Sequence, residues 1–224
     1  MSHRIVCLAV VLSIVGPVAQ AGPRRGHLER RRAEAALTRL GPDLTVRWAA
    51  APRPVAIRGL DVSVLGADNA DRARRFVLQH PDLFLGRAGG SRLELVDLRE
   101  TRSQRVVRLR QRYRGLEVVG ARVTVSLDLR GHVRAVRSSL TPLSLPSTTA
   151  RIDPRAAVAA ARRALGLGDG QGRAEPVVWS EGRARLAYRV VLAGDPSFRI
   201  YFVDAVDGSY LGARRGAIIE GVGR

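Results

Sequence analysis

The chain has 224 residues with 38 basic against 20 acidic side chains, a formal net charge of +18, and every basic residue is arginine. Without lysine there is no phosphate-loop lysine and no Schiff-base amine, and a lone cysteine, Cys7, rules out a disulfide framework. The length suits one large domain or two small ones with a real hydrophobic core.

Residues 1–21 read as a signal peptide. His3 and Arg4 form a basic start, Ile5 to Val15 an apolar run too short to span a bilayer, and Ala19-Gln20-Ala21 a small-x-small cleavage pattern. The predicted location is therefore secreted or periplasmic. Cys7 lies inside this leader, so the mature protein has no thiolate nucleophile or zinc ligand from cysteine.

Gly26 to Leu40 predicts a helix rich in Arg, Glu and Ala that stops at Gly41-Pro42. Short strands follow at Leu44–Trp48 and Ala56–Leu65. Asn69 is the expected N-cap of a helix over Ala70–His80, whose Ala73, Phe76, Val77 and His80 share one face. Pro81 closes that helix, His80 sits at its dipole-favoured end, and Leu83-Phe84-Leu85 adds an apolar plug. Strands are predicted at Leu93–Arg99, Arg105–Arg114, Glu117–Leu129 and His132–Ser138, the last two joined by a tight turn at Leu129-Arg130-Gly131.

Thr141 to Asp153 contains Pro142 and Pro146 among Ser and Thr, and reads as a linker. Asp153 then caps an alanine-rich helix with Pro154 at its first position, ending near Leu165-Gly166. Gly166–Gly172 is a connector. Strands follow at Glu175–Trp179, Ala184–Leu192 and Phe198–Asp204, the first marked as an edge strand by Pro176. Trp48 and Trp179 are expected in the core. The predicted fold class is α+β, with two lobes, each an antiparallel sheet packed with a helix.

Arginines alternate with apolar residues, as in Val107 to Arg114, the pattern of a sheet's solvent face. With 4% aromatics there are few platforms for stacking bases, which argues against dedicated nucleic-acid binding. An acidic protein surface or another polyanion stays open as a partner. No His-Glu-x-x-His and no Gly-x-Ser-x-Gly occurs, and His27, His80 and His132 stand about fifty residues apart. No catalytic, metal or cofactor-binding residues are read, and the chain is not expected to be an enzyme.

The stretch Val106 to Val125, with Gln111, Tyr113, Gly115, Val118 and Gly120, resembles the secreted prodomain (the FTP motif) of thermolysin-like and fungalysin-like zinc metallopeptidases. Tyr201-Phe202-Val203-Asp204-Ala205-x-Asp207-Gly208 with Leu211 is similar to the closing hairpin of the PepSY module that follows it in that family, and the helix opening at Asp153-Pro154 fits the start of that module. The resemblance runs from about residue 66 to residue 213 and implies an FTP-like lobe at 66–140 and a PepSY/cystatin-like lobe at 153–213; the residues themselves add a signal peptide at 1–21, an N-terminal helix and short strands at 22–65, a linker at 141–152 and a tail at 214–224. Glu117 and Val119 stand where the family often has Pro and an aromatic.

What the resemblance implies is a propeptide-like intramolecular chaperone or inhibitor that binds a zinc metallopeptidase non-covalently, in cis if the gene continues and otherwise in trans. The alternatives are the front piece of a longer zymogen, and an orphan basic module binding cell-envelope polyanions. By their own chemistry the motif residues have structural readings. Gly115, Gly120 and Gly208 suit turns of positive φ, Asp204 and Asp207 suit turn caps, and Gln111 and Tyr113 suit an exposed cross-strand pair, or Tyr113 a sheet-face aromatic. Direct contact with the partner is the other reading of these seven and of Val118.

Overall fold

A computed structural model describes residues 23–49, 52–86 and 89–216. The predicted leader and the last residues of the tail lie outside these. Among the described residues there are three helices and ten strands: α1 (Pro23–Leu40), β1 (Thr45–Trp48), β2 (Pro54–Val62), α2 (Asn69–Gln79), β3 (Ser91–Glu100), β4 (Arg105–Tyr113), β5 (Leu116–Leu127), β6 (Val133–Ser138), α3 (Pro154–Ala164), β7 (Gly172–Trp179), β8 (Arg185–Leu192), β9 (Arg199–Asp204) and β10 (Tyr210–Arg215). None of these helices is long and apolar enough to cross a membrane.

The helices form where caps and periodicity coincide. In α2 the cap is Asp68, one residue ahead of the expected Asn69: its Oδ1 accepts the Asp71 N–H at 2.7 Å. Both residue types cap well, and Asp68 is the one with extended backbone. Ala70, Ala73, Phe76 and Val77 are buried, and the helix ends where His80 Nδ1 donates to the Phe76 carbonyl at 2.7 Å, its ring 4.6 Å from that of Phe76. Asp153 caps α3 as expected, accepting from the Ala156 N–H at 2.8 Å, with Pro154 following. Ala157, Val158, Ala160 and Ala161 are its buried face, small enough to bring the helix close to the sheet.

The architecture is α+β and dominated by strands. The two separate antiparallel sheets expected from the sequence are instead one ten-stranded sheet in the order β1-β2-β6-β5-β7-β8-β9-β10, with β4 and then β3 paired onward from β5. All pairings are antiparallel except one, Val118 of β5 beside Val178 of β7. β7 therefore lies between β5 and β8 and is not an outer edge. Pro176, which lacks a ladder N–H, is tolerated because the contact with β5 is confined to Val178.

The core is partitioned accordingly. One cluster packs α1, α2 and Leu83-Phe84-Leu85 against β2, β4, β5 and β6, with Phe76, Phe84, Ile57 and Leu109 at its centre. A second packs α3 against β8 and β9. Two smaller clusters sit where β5 meets β7: Tyr113, Val118, Ala121, Leu143, Leu145 and Val178 form one, and Val119, Val177, Trp179, Ala187 and Phe202 the other. Trp179 is buried as expected. Trp48 is only half-buried, and the Arg30 guanidinium lies 3.3 Å from its ring centroid.

Candidate functional site

The residues that carry the family resemblance converge on the segment joining the two halves of the sheet. In β4, Val107, Leu109, Gln111 and Tyr113 point to the same side, and all four are buried. Gln111 is fully buried and Tyr113 is 2% exposed, so they are not an exposed cross-strand pair. The Gln111 amide instead grips the chain leaving β6. Its Oε1 accepts the Thr141 N–H at 3.0 Å, and its Nε2 donates to the Thr141 carbonyl at 2.8 Å and to Ser91 Oγ at 3.0 Å. Both amide hydrogens are thereby used, which is what lets so polar a group sit in a core. Two residues on, Tyr113 Oη accepts the Leu145 N–H at 3.3 Å.

The segment at 141–152 is consequently not a free linker. Leu143 and Leu145 are buried against Tyr113, Val118 and Val178, alternating with exposed Pro142, Ser144 and Pro146. Its far end is fixed too. The carbonyl of Ala205 accepts the Arg151 N–H at 2.8 Å and the Ile152 N–H at 3.2 Å, and the Ile152 carbonyl accepts Tyr188 Oη–H at 2.9 Å.

Ala205 is placed by the turn that holds the second motif group. Asp204 Oδ1 accepts the Val206 N–H at 2.8 Å, the Asp204 carbonyl accepts the Gly208 N–H at 3.0 Å, and Asp207 Oδ1 accepts the Ser209 N–H at 2.8 Å. That backbone bond is the main reason the Asp207 carboxyl lies below its usual range. Asp204 is buried and takes Arg185 at 3.3 Å. Gly208 turns with φ of 75°.

The glycines of the first group let β5 change partners. Gly115 has φ of 87° in the turn after β4. Further on, β4 pairs Arg112 with Glu117 and then Arg110 with Arg122, so residues 118–121 bulge out of the β4 ladder. Within that bulge Gly120 has φ of 75°, and a Cβ there would come within 2.6 Å of the Arg214 guanidinium. The bulge frees Val118 to pair with Val178 and sends Val119 into the cluster around Trp179.

The two departures from the family pattern are therefore structurally engaged. Glu117 meets Arg189 at 3.1 Å, and Arg189 also holds Glu175 at 2.7 Å, so one guanidinium spans β5, β7 and β8. The hydrogen bond from Arg189 is the largest reason Glu175 is held below the ordinary carboxylate range.

One polar cluster escaped the sequence reading. Asp61, Asp128 and His132 bring potential metal-ligand atoms within 4.8 Å of one another. Three of their polar atoms bond within the protein: Asp61 Oδ1 meets His132 Nδ1 at 2.8 Å and Arg134 at 2.6 Å, and Asp128 Oδ1 accepts the Arg130 and His132 N–H groups, each at 2.9 Å. The hydrogen bond from His132 is the main cause holding Asp61 below its usual range, and the His132 backbone bond does the same for Asp128. This arrangement does what a turn lock needs: it ties the β5–β6 turn to β2.

Residues 104–140, from the start of β4 to just beyond β6, match the Fungalysin/Thermolysin Propeptide Motif family. Among solved structures, the chain is similar to the Bacillus megaterium YpeB C-terminal domain, at 11% identity and a TM-score of 0.38, covering 85% of this chain and 97% of that one. No curated protein sequence matches it.

Proposed function

We propose that this chain is an exported, prodomain-like protein that binds a zinc metallopeptidase and serves as its folding chaperone, its inhibitor, or both. The observation that carries the reading is the propeptide motif at residues 104–140. In this reading residues 66–140 form an FTP-like lobe, 141–152 a pinned connector, 153–213 a PepSY/cystatin-like lobe, and residues 1–21 direct export to the periplasm or beyond.

The work is binding rather than catalysis. Gln111, Tyr113, Gly115, Val118 and Gly120, with Asp204, Asp207 and Gly208, act as internal framework: they hold the two halves at a fixed relation and leave the outer surfaces for the partner. A binder fixed before encounter loses less conformational entropy on association. Linked in cis to its peptidase, such a module enjoys an effective concentration of about millimolar, so modest affinity suffices. Acting in trans at micromolar levels it needs roughly −8 kcal/mol, which calls for a well-packed interface of about 1,200–2,000 Å².

The test is refolding of a denatured thermolysin-like peptidase with and without the chain, paired with titration of the chain into the folded enzyme. The reading predicts higher recovered activity, progressive inhibition, or both. Unchanged recovery together with no inhibition rejects it.

A further inference from the structure

The sheet formed by β1 to β6 has one face covered by α1 and α2 and an opposite face that, among the described residues, no helix covers. Arginines line that open face, and their surroundings differ from one side of it to the other. On the β3–β4 side they are neutralised: Arg108 meets Asp97 at 3.3 Å, while Arg110 and Arg112 share Glu94 at 2.8 and 3.0 Å. On the other side Arg47 of β1, Arg58 of β2, Arg137 of β6 and Arg122 of β5 are all exposed, and none forms an ion pair among the described residues.

Register places these residues in continuous cross-strand rows. Arg47 lies beside Ala56, Ala56 beside Arg137, Arg137 beside Thr124, and Thr124 beside Arg108 with its Asp97. Arg122 lies beside Arg110, which pairs with Glu94. A trough of about 650 Å³ runs among Arg47, Arg122, Arg137, Trp48 and Val55. A smaller one of about 240 Å³ shares Arg47 and Arg137 and reaches Arg58.

We propose that this half of the open face docks an extended, carboxylate-rich polypeptide segment of a partner protein. β3 shows how: a strand laid at the sheet's other margin delivers Glu94 and Asp97 to the arginines of β4. The four guanidinium groups, without an ion pair among the described residues, present the same planar donor forks, which carboxylates meet in bidentate fashion. Uncompensated, they repel one another across neighbouring strands, and an acidic segment removes that repulsion. The trough's chemistry favours polypeptide over nucleic acid. Among the described residues Trp48 is its one aromatic lining residue, and Arg30 already lies over that ring, so it offers no free series of stacking platforms. Val55 and Ala49, which also line it, suit the aliphatic stems of a peptide's side chains. The docking stands on the sheet's own geometry and does not require the partner to be a peptidase.

The experiment uses the whole chain with fluorescently labelled poly-L-glutamate, heparin and single-stranded DNA as probes, read by anisotropy at low salt. An R47Q/R58Q/R122Q/R137Q variant is compared with R102Q/R155Q/R163Q/R183Q, which removes as many charges from exposed arginines elsewhere. The first variant is expected to weaken polyglutamate binding about tenfold or more, the second less than about twofold. Should the first variant fail to fold by circular dichroism, the single variants Arg47→Gln and Arg137→Gln each carry the test, with losses of about two- to threefold. Equal losses in both four-site variants, no polyglutamate binding by the parent chain, or a larger loss for heparin or DNA than for polyglutamate overturns the proposal.

Discussion

The two ends of the segment at 141–152 are anchored by opposite means. At its start, one fully buried amide, Gln111, makes three hydrogen bonds, two of them to the backbone of Thr141. At its end, Ala205 of a capped turn presents one carbonyl to Arg151 and Ile152, and exposed Asp207 helps hold that turn. Water can replace a cap on the surface, but it cannot readily enter a packed core to replace Gln111. Gln111 and Asp207 thus carry very different stakes, and the start of the segment is where the two halves of the molecule are most sensitive.

The largest expected effect is at Gln111. Gln111→Ala removes the amide and leaves backbone groups of Thr141 unpaired, costing about 2–3 kcal/mol, read as a lowered midpoint in urea unfolding. A loss equal to that at a surface cap would erase the contrast. Next comes Gly120→Ala, where a side chain is forced to positive φ inside the bulge. It should cost about 1–2 kcal/mol, and the Arg214 side chain must also shift. Tyr113→Phe keeps the ring in its cluster and loses only the bond to Leu145, about 1 kcal/mol. Asp207→Ala should be mildest, about 0.5 kcal/mol, and should leave amide protection at Thr141 unchanged in hydrogen exchange.

Acid acts outside the connecting segment. Asp195, between β8 and β9, accepts hydrogen bonds from Tyr201 Oη at 2.6 Å and from Ser197 Oγ and N–H at 2.7 and 2.9 Å. With Tyr201 as the largest cause, its carboxyl is lowered from 3.8 to about 2. A depressed folded value means the contribution is present above pH 3.8 and is lost as pH falls through about 2. Stability of the β8–β9 region should decline across that window, and Asp195→Asn should flatten the decline without altering the Gln111 grip.

Much of this organisation was legible in the sequence because it is local. Alternation located the strands, and Asp153-Pro154 fixed the start of α3. Gln111 and Tyr113 keep the period-two phase of Val107 and Leu109, so their burial was written in the register; an arginine on either side of Gln111 disguised it. Leu143 and Leu145 likewise alternate with Pro142, Ser144 and Pro146, but the proline and serine content reads as linker. What could not be read locally is long-range. The pairing of Val118 with Val178 and the bond between Asp61 and His132, 71 residues apart, depend on where the chain returns. The arginines of the open face were visible only as charge until the sheet register placed Arg47, Arg137 and Arg122 together.

Sedimentation velocity of the chain mixed with a folded, zinc-depleted thermolysin-like peptidase decides whether the two bind. A single faster boundary carrying both proteins is predicted. Two boundaries moving as each protein does alone, at every ratio and at low salt, contradict it.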